Sequence, residues 1–357
     1  MHLIGTRIRP RWRGPLLTVV AVAVAAAIAA CGSSSSSSST PTASNAAAVS
    51  STTAASSSGA SSGSSGGSYT LNVGYIGTTG ILTGPEGFAY SKGLLQQWLK
   101  QGGIAQIHLA QFANGPLLTA AMTGGSLDVG VVGDTPALIA ESHGLPVKFI
   151  DQGEVGLEAW IVGKKGITSL SQLSGQTVAR PQGSYMDRYL QGLLAQKGLT
   201  SKVHLTAMLL PQGIPAVESG ALAAIALPAW EAGPLLAHGS AVIARSTDAP
   251  NLQGTEVTIA TNKILAAHPN VAQVWNGARL KAIAYAKANA AEFYAFEDKA
   301  DALKTPGQAQ QFLPLSLYPA ANYTPAGLKL LQGTLNFLVS EKEATAFSLD
   351  GWKAPGT

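Results

Sequence analysis

Gly133, Asp134, Thr135 and Pro136 stand between two apolar runs, Leu127 to Val132 and Pro136 to His143. The first alternates as a buried strand does and the second has the length of a short helix. Proline takes a favoured first helical position, with Asp134 or Thr135 as the cap. A strand-to-helix junction of this kind turns free backbone N–H groups and the positive helix end towards the carboxyl edge of a sheet. Open α/β sheets bind ligands at that edge, and an anionic group is welcome there. The same turn also serves as an ordinary capped helix in an α/β core. The chemistry expected is therefore binding, not bond-making. The chain has neither a Gly-x-Ser-x-Gly elbow nor a Gly-x-x-x-x-Gly-Lys phosphate loop, and His108, His143, His204, His238 and His268 lie far apart with no paired spacing. We expect no enzyme activity, no metal and no cofactor.

The elements that must hold this turn alternate along the chain. Leu71 to Ile76 reads as a strand and Gly77, Thr78, Thr79 and Gly80 as a turn. Phe88 to Lys100 reads as an amphipathic helix, Ile104 to Gln111 and Val147 to Gln152 as strands. Strand and helix repeated at these lengths predict a parallel, doubly wound sheet. A second unit follows: Ala159 to Val162 extended, Thr177 to Ala179 a strand, Gly183 a turn before a helix Ser184 to Gln196, then Val203 to Leu209, Ile214 to Ser219 and Leu222 to Leu227 as strand, helix and strand. Residues 104–132 and 203–227 share one layout, which predicts two αβ lobes of similar plan, one inserted in the other. The Ala-rich stretch Asn270 to Lys304, with Gln308 to Leu313 and Pro325 to Ser340, reads as helices that return to cover the first lobe.

Arg7, Arg9, Arg11 and Arg13 precede the apolar run Leu16 to Ala30, which has the layout of a secretory signal and is too short for a comfortable membrane span. It ends in Ile28, Ala29, Ala30 and Cys31, which resembles a bacterial lipobox and predicts lipid on Cys31. Cys31 is the only cysteine of the 357 residues, so no disulfide or thiol chemistry is expected of the fold. Those four arginines account for the formal charge of +4, and the remainder is near neutral, with no basic cluster to suit nucleic acid. Gly32 to Ser68 is mostly Ser, Gly, Ala and Thr and predicts a tether, whose random-coil reach is on the order of 30–35 Å. The expected organisation is 1–30 signal, 31–68 lipidated cysteine and tether, 69–156 with 255–357 as lobe 1, and 157–254 as lobe 2.

Several stretches in this order and spacing resemble a known family: Val73 to Gly77, Phe112 with Gly115 and Pro116, Gly125 with Asp128, Gly130 to Pro136, Glu158 to Val162, Ile167 to Gly175, Thr177 to Gly183 and Gly198 to Thr200. The chain resembles the solute-binding proteins of ABC importers for aliphatic sulfonates, taurine and nitrate, within the group that includes binders of thiamine pyrimidine precursors. The resemblance implies a two-lobe periplasmic-binding-protein-like (type II) fold, each lobe a doubly wound sheet flanked by helices. It implies a small organic anion, foremost an aliphatic sulfonate, held among amides and hydroxyls at helix starts. Carried onto this chain, these are Gly77, Thr78 and Thr79; Gly133, Asp134 and Thr135; and Gly183, Ser184 and Tyr185. It further implies a monomer on the outer face of the cell membrane that serves a permease with its ATPase.

Around that cleft, Trp160 and Trp230 could wall an organic tail or pack in the core, and Glu158 could meet a ligand ammonium or hold the hinge. Arg180 and Arg188 could reach an anion, although Arg188 beside Asp187 reads as a surface pair. Two other readings are weighed. A pyrimidine synthase shares this fold family, but its activity goes with a Cys-rich iron motif that this chain lacks; a ligand sensor without a transporter is the second.

Overall fold

The computed structural model describes residues 68–357; the signal-like segment, Cys31 and most of the tether lie outside the described residues. Among the described residues, ten strands form two five-stranded sheets. The first contains β1 (Tyr69–Ile76), β2 (Ile104–Phe112), β3 (Val129–Gly133), β4 (Val147–Leu157) and β10 (Gly254–Thr261), in the order β2-β1-β3-β10-β4. The second contains β5 (Ala159–Gly163), β6 (Thr177–Arg180), β7 (His204–Ala207), β8 (Ala224–Pro228) and β9 (Ala241–Arg245), in the order β7-β6-β8-β5-β9. This is the two-lobe α/β fold expected from the sequence.

The sheets are not purely parallel. β1 runs parallel to β2 and β3, but β10 arrives from the second lobe and lies antiparallel between β3 and β4. β6 is likewise parallel to β7 and β8, with β5 antiparallel between β8 and β9. β10 (Gly254–Thr261) is a strand the sequence reading does not include, although Val257 and Ile259 alternate with Thr258; both its faces are covered, Val257 and Ile259 packing on one side and Ala260 on the other. β2–helix–β3 and β7–helix–β8 hold matching places in their sheets, which is the internal repeat.

Both faces of the first sheet are packed. Leu71, Val73, Val129 and Ala260 meet Leu95, Leu99 and Trp275 on one side. Val132, Phe149, Val257 and Ile259 meet Leu118, Leu138, Leu331, Leu335 and Trp352 on the other. The C-terminal helices Val271–Ala288 and Pro325–Ser340 thus cover opposite faces of this sheet.

Local chemistry set several boundaries differently from expectation. Phe88 to Lys100 is not one helix but two, Gly84–Ser91 and Leu94–Gln101, split at Gly93, whose φ of 73° belongs to the left-handed region. The helix after β3 starts at Asp134, with Gly133 as its cap, so Asp134 and Thr135 lie inside the first turn. Asn289 divides the Ala-rich stretch into Val271–Ala288 and Ala290–Ala300.

Gly87, inside the helix Gly84–Ser91, lets the Leu82 carbonyl lie close against that helix. A Cβ there would run into the carbonyl of Leu82, a backbone group with no room to yield. Gly87→Ala is expected to cost about 1–3 kcal/mol or more by overpacking, read as a lowered midpoint in chemical denaturation.

Candidate functional site

Two of the three turns expected to receive an anion face a carboxylate of the chain itself, and the third leads into a helix whose first N–H does. After β3, Asp134 is fully buried: its Oδ1 accepts from Thr135 N (2.6 Å) and Thr135 Oγ1 (2.9 Å), its Oδ2 from Thr255 N (3.2 Å) and Thr334 Oγ1 (3.1 Å). After β6, Gly183 N donates to Asp187 Oδ2 at 2.9 Å, Ser184 Oγ donates to Pro181 O at 2.6 Å, and the Arg180 guanidinium pairs with Asp187. After β1, Gly77 N donates to Phe112 O, Thr78 is exposed, and Thr79 Oγ1 donates to Ala300 O at 2.6 Å. The helix that follows opens at Gly84, whose N–H donates to Glu297 Oε1 at 2.9 Å.

Arg188 is not a surface residue. It is 1 % exposed, lies 3.9 Å from Asp134 and donates to the carbonyls of Leu252 and Gln253. It reads as exposed in the sequence because it follows Asp187, but Asp187 turns to Arg180 instead. Tyr185 packs against Gly254, where a Cβ would meet its ring at 2.5 Å, and its hydroxyl has no partner. Glu158 Oε1 accepts from Trp160 Nε1 (2.6 Å) and Thr247 Oγ1 (3.2 Å). Trp160 is buried edge-on against Phe312 beneath the Arg245 guanidinium, and Trp230 packs on the core of the second lobe.

A pocket lies instead at the carboxyl end of β1, among residues of both halves of the first lobe. Tyr75, Val131, Thr258 and Trp275 line it, with Glu86, Glu154, Glu256 and Tyr318; its cavity is about 20 Å³, room for about one water. Glu86 comes from the first turn of Gly84–Ser91, Glu154 from β4 and Glu256 from β10. Gly153 lets the Glu256 carboxylate lie against the backbone, since a Cβ there would stand 2.5 Å from Oε1. Arg279, 1 % exposed, is the cation set against them: its Nε lies 3.4 Å from Glu86 and 3.3 Å from Asp151, and its Nη2 donates to the carbonyls of Gln152, Gly153 and Pro319.

One guanidinium does not neutralise this many acids. Burial pushes Glu86 up to about 7, with Arg279 opposing. Burial likewise pushes Glu154 up to about 7 against the pull of Tyr318 and Arg279, and Asp301 up to about 7. Glu256 and Glu297 rise well above the ordinary carboxylate range, by burial first and then by the acids around them. Folded-state values above the unfolded ones mean that the folded form holds extra protons, so stability is fully present below pH of about 4 and declines as pH rises through about 7. The melting temperature is expected to fall steadily between pH 5 and pH 8, as differential scanning calorimetry in non-coordinating buffers will read.

Sequence reasoning missed this pocket. Its acids are single residues far apart in the chain, brought together by the sheet. Two neighbours did carry a signal. Arg279 falls on the apolar face of its helix with Trp275, Ala282 and Ala286, and Glu297 on that of Phe293 and Ala300; all seven are buried. A charge on an apolar helix face is paired or functional.

Residues 94–293 match the family described as NMT1/THI5 like. The chain belongs to this family. A binding protein of Brucella abortus (strain 2308) is 30% identical over 111 residues; the alignment spans 31% of this chain and about a third (33%) of the relative's length. Among solved structures, the periplasmic aliphatic sulphonate binding protein SsuA of Escherichia coli superposes with a TM-score of 0.65 at 20% identity, over 80% of this chain and 97% of that one. SsuA of Xanthomonas axonopodis pv. citri, bound to MOPS, gives 0.64 at 19%, over 78% and 94%. The desulfurization enzyme DszB gives 0.58 at 16%, over 80% and 96%. At these identities the structures share their fold with this NMT1/THI5-like protein, and that fold serves both binding proteins and an enzyme.

Proposed function

We propose that this protein is the solute-binding component of an ABC importer, which captures a small organic solute between its lobes and delivers it to a permease. The observation that supports this most is the two-sheet plan: the chain crosses between lobes at Leu157 to Ala159 and again between Arg245 and Gly254, and a polar pocket opens at the carboxyl edge of the first sheet. On this reading 69–156 with 255–357 moves against 157–254, about a hinge near Gly156 to Glu158 and Gly254 to Val257. Closure requires that the solute stabilise the closed form more than the open one. No residue set in the pocket has the nucleophile-and-base pairing that catalysis by a fold-mate would need, which favours binding over chemistry.

An aliphatic sulfonate, the solute that the family resemblance implies, would have to compete at the helix starts with Asp134, Asp187 and Glu297. The lining therefore speaks against a sulfonate seated among Thr78, Thr135 and Ser184. Lipid on Cys31 would hold the protein to the outer face of the membrane; Cys31→Ser is expected to move it from the membrane fraction to the medium or periplasm, as fractionation and immunoblotting will read.

The importer reading is tested by purifying the protein from its own host without denaturation and identifying what it carries by native mass spectrometry. A stoichiometric small molecule whose return raises the melting temperature of the stripped protein supports it. An empty protein that no fraction of host metabolites stabilises counts against it.

A further inference from the structure

We infer that Asp134 and Arg188 form a lock across the hinge, one that holds the two lobes together through the chain's own charges and sets how readily the cleft opens to a solute. This rests on the solute-binding reading, which supplies the hinge, and adds what governs its motion.

The crossover between Arg245 and Thr255 is gripped on both sides of one glycine. On the second-lobe side, Arg188 Nη2 donates to Leu252 O at 3.2 Å and to Gln253 O at 2.6 Å. On the first-lobe side, Asp134 Oδ2 accepts from Thr255 N at 3.2 Å. Gly254 lies between them, with the Tyr185 ring so close that a Cβ would stand 2.5 Å from it. The two grips face each other, Nη2 to Oδ2 at 3.9 Å, and both side chains are buried. Gln253 Nε2 also donates to Gly156 O at 3.1 Å and so ties this crossover to the other one, where Gly156 has a φ of 91°. Rotating one lobe against the other about Gly254 therefore has to stretch or break the pair. Two further contacts between the lobes, Pro116 at Gly183 and Phe312 at Trp160, are apolar, and neither grips the crossover.

The Asp134 carboxylate stands at the helix start where the family resemblance seats the anion of a solute. The chain itself thus supplies the group that draws Arg188 of the second lobe in. Parting a buried ion pair strands both charges until water reaches them, which resists opening. An opposing cost is built into the same residues. Arg188 Nε and Nη1 and the Tyr185 hydroxyl are buried with no hydrogen-bond partner, and each unmet group raises the free energy of the closed form. A hinge with two states needs such opposed terms of similar size. A solute that enters the open cleft then binds with an affinity reduced by the fraction of molecules that are open.

The test measures lobe separation by double electron–electron resonance on the full chain, with Cys31→Ser to remove its single thiol. Nitroxides go on exposed positions, one in each lobe: Lys197→Cys with Asn336→Cys, and, along another direction, Lys165→Cys with Lys281→Cys. Asp134→Asn combined with Arg188→Met strands no charge, so this double variant should melt no lower than Arg188→Met alone and keep the parent's circular dichroism. We expect it to populate longer distances that the parent lacks, in at least one label pair. Arg188→Lys, which keeps a cation opposite Asp134, should return the shorter distances, and Tyr185→Phe, which keeps the ring on Gly254, should not lengthen them. A folded double variant with the parent's distances in both pairs overturns the lock and leaves the pair a structural contact. A second measurement needs no variant: in the parent, the Thr255 amide should exchange with deuterium well before that of Ile259 in the same strand, because opening frees only the first. Equal protection of the two also overturns the lock. A protein found to carry no solute fails the importer reading but not this test, so the two failures are distinct.

Discussion

Asp134→Ala is expected to lower the unfolding free energy by about 3–5 kcal/mol, because it deletes one member of a buried charge pair and strands the other. The Asp134 carboxylate joins four elements at once. It accepts from the first turn of its own helix, from β10 through Thr255 N, from the C-terminal helix through Thr334 Oγ1, and it faces Arg188 from the second lobe at 3.9 Å. With the carboxylate gone, Arg188 keeps only the carbonyls of Leu252 and Gln253, and Thr255 N loses its acceptor. Urea denaturation of parent and variant measures the loss. An unchanged midpoint, with solute affinity lost instead, would return Asp134 to the ligand site.

Arg279→Met should cost about as much, again about 3–5 kcal/mol, and its cost should depend on pH. Methionine keeps an apolar stem of similar length but removes the charge that Glu86 and Asp151 face and the donor that holds three carbonyls. The stranded acids then bind protons more tightly still, and more protons in the folded state means that stability rises as pH falls. Denaturation at pH 5 and at pH 8 should therefore show the smaller deficit at pH 5. Equal deficits at both would mean that the carbonyl contacts, not the charge, are what Arg279 supplies.

Much of the fold was legible because it rests on local patterning. β1 alternates apolar with polar residues, β3 and β5 are short apolar runs ending in glycine, and Pro325–Ser340 announces itself with Thr324 as cap and Pro325 at the first position. β10 was harder, since its alternation of Val257 and Ile259 with Thr258 is short and carries no sign that its partners, β3 and β4, lie more than a hundred residues back in the chain. The site was legible only in outline. The strand-to-helix turns lie where the sequence put them, yet what fills them does not follow from their own residues: Glu297 reaches Gly84 from more than two hundred residues away, and Asp187 folds back on Gly183 rather than towards Arg188. A helix start predicts that a negative group will be present; whether it comes from solvent or from the chain is decided by tertiary packing.

The antiparallel place of β10 also orders events in time. Every strand of the second sheet lies between Ala159 and Arg245, so that sheet can assemble from one continuous stretch. The first cannot: the pairing of Val132 with Val257 and of Ile259 with Phe149 must wait until the chain has gone through the other lobe and come back. Contacts between residues so distant in sequence are paid for in loop entropy before they return any stability, and they slow folding. While the polypeptide emerges from the ribosome or a translocation pore, β3 and β4 therefore remain unjoined edges, and the half-molecule that begins first is completed last.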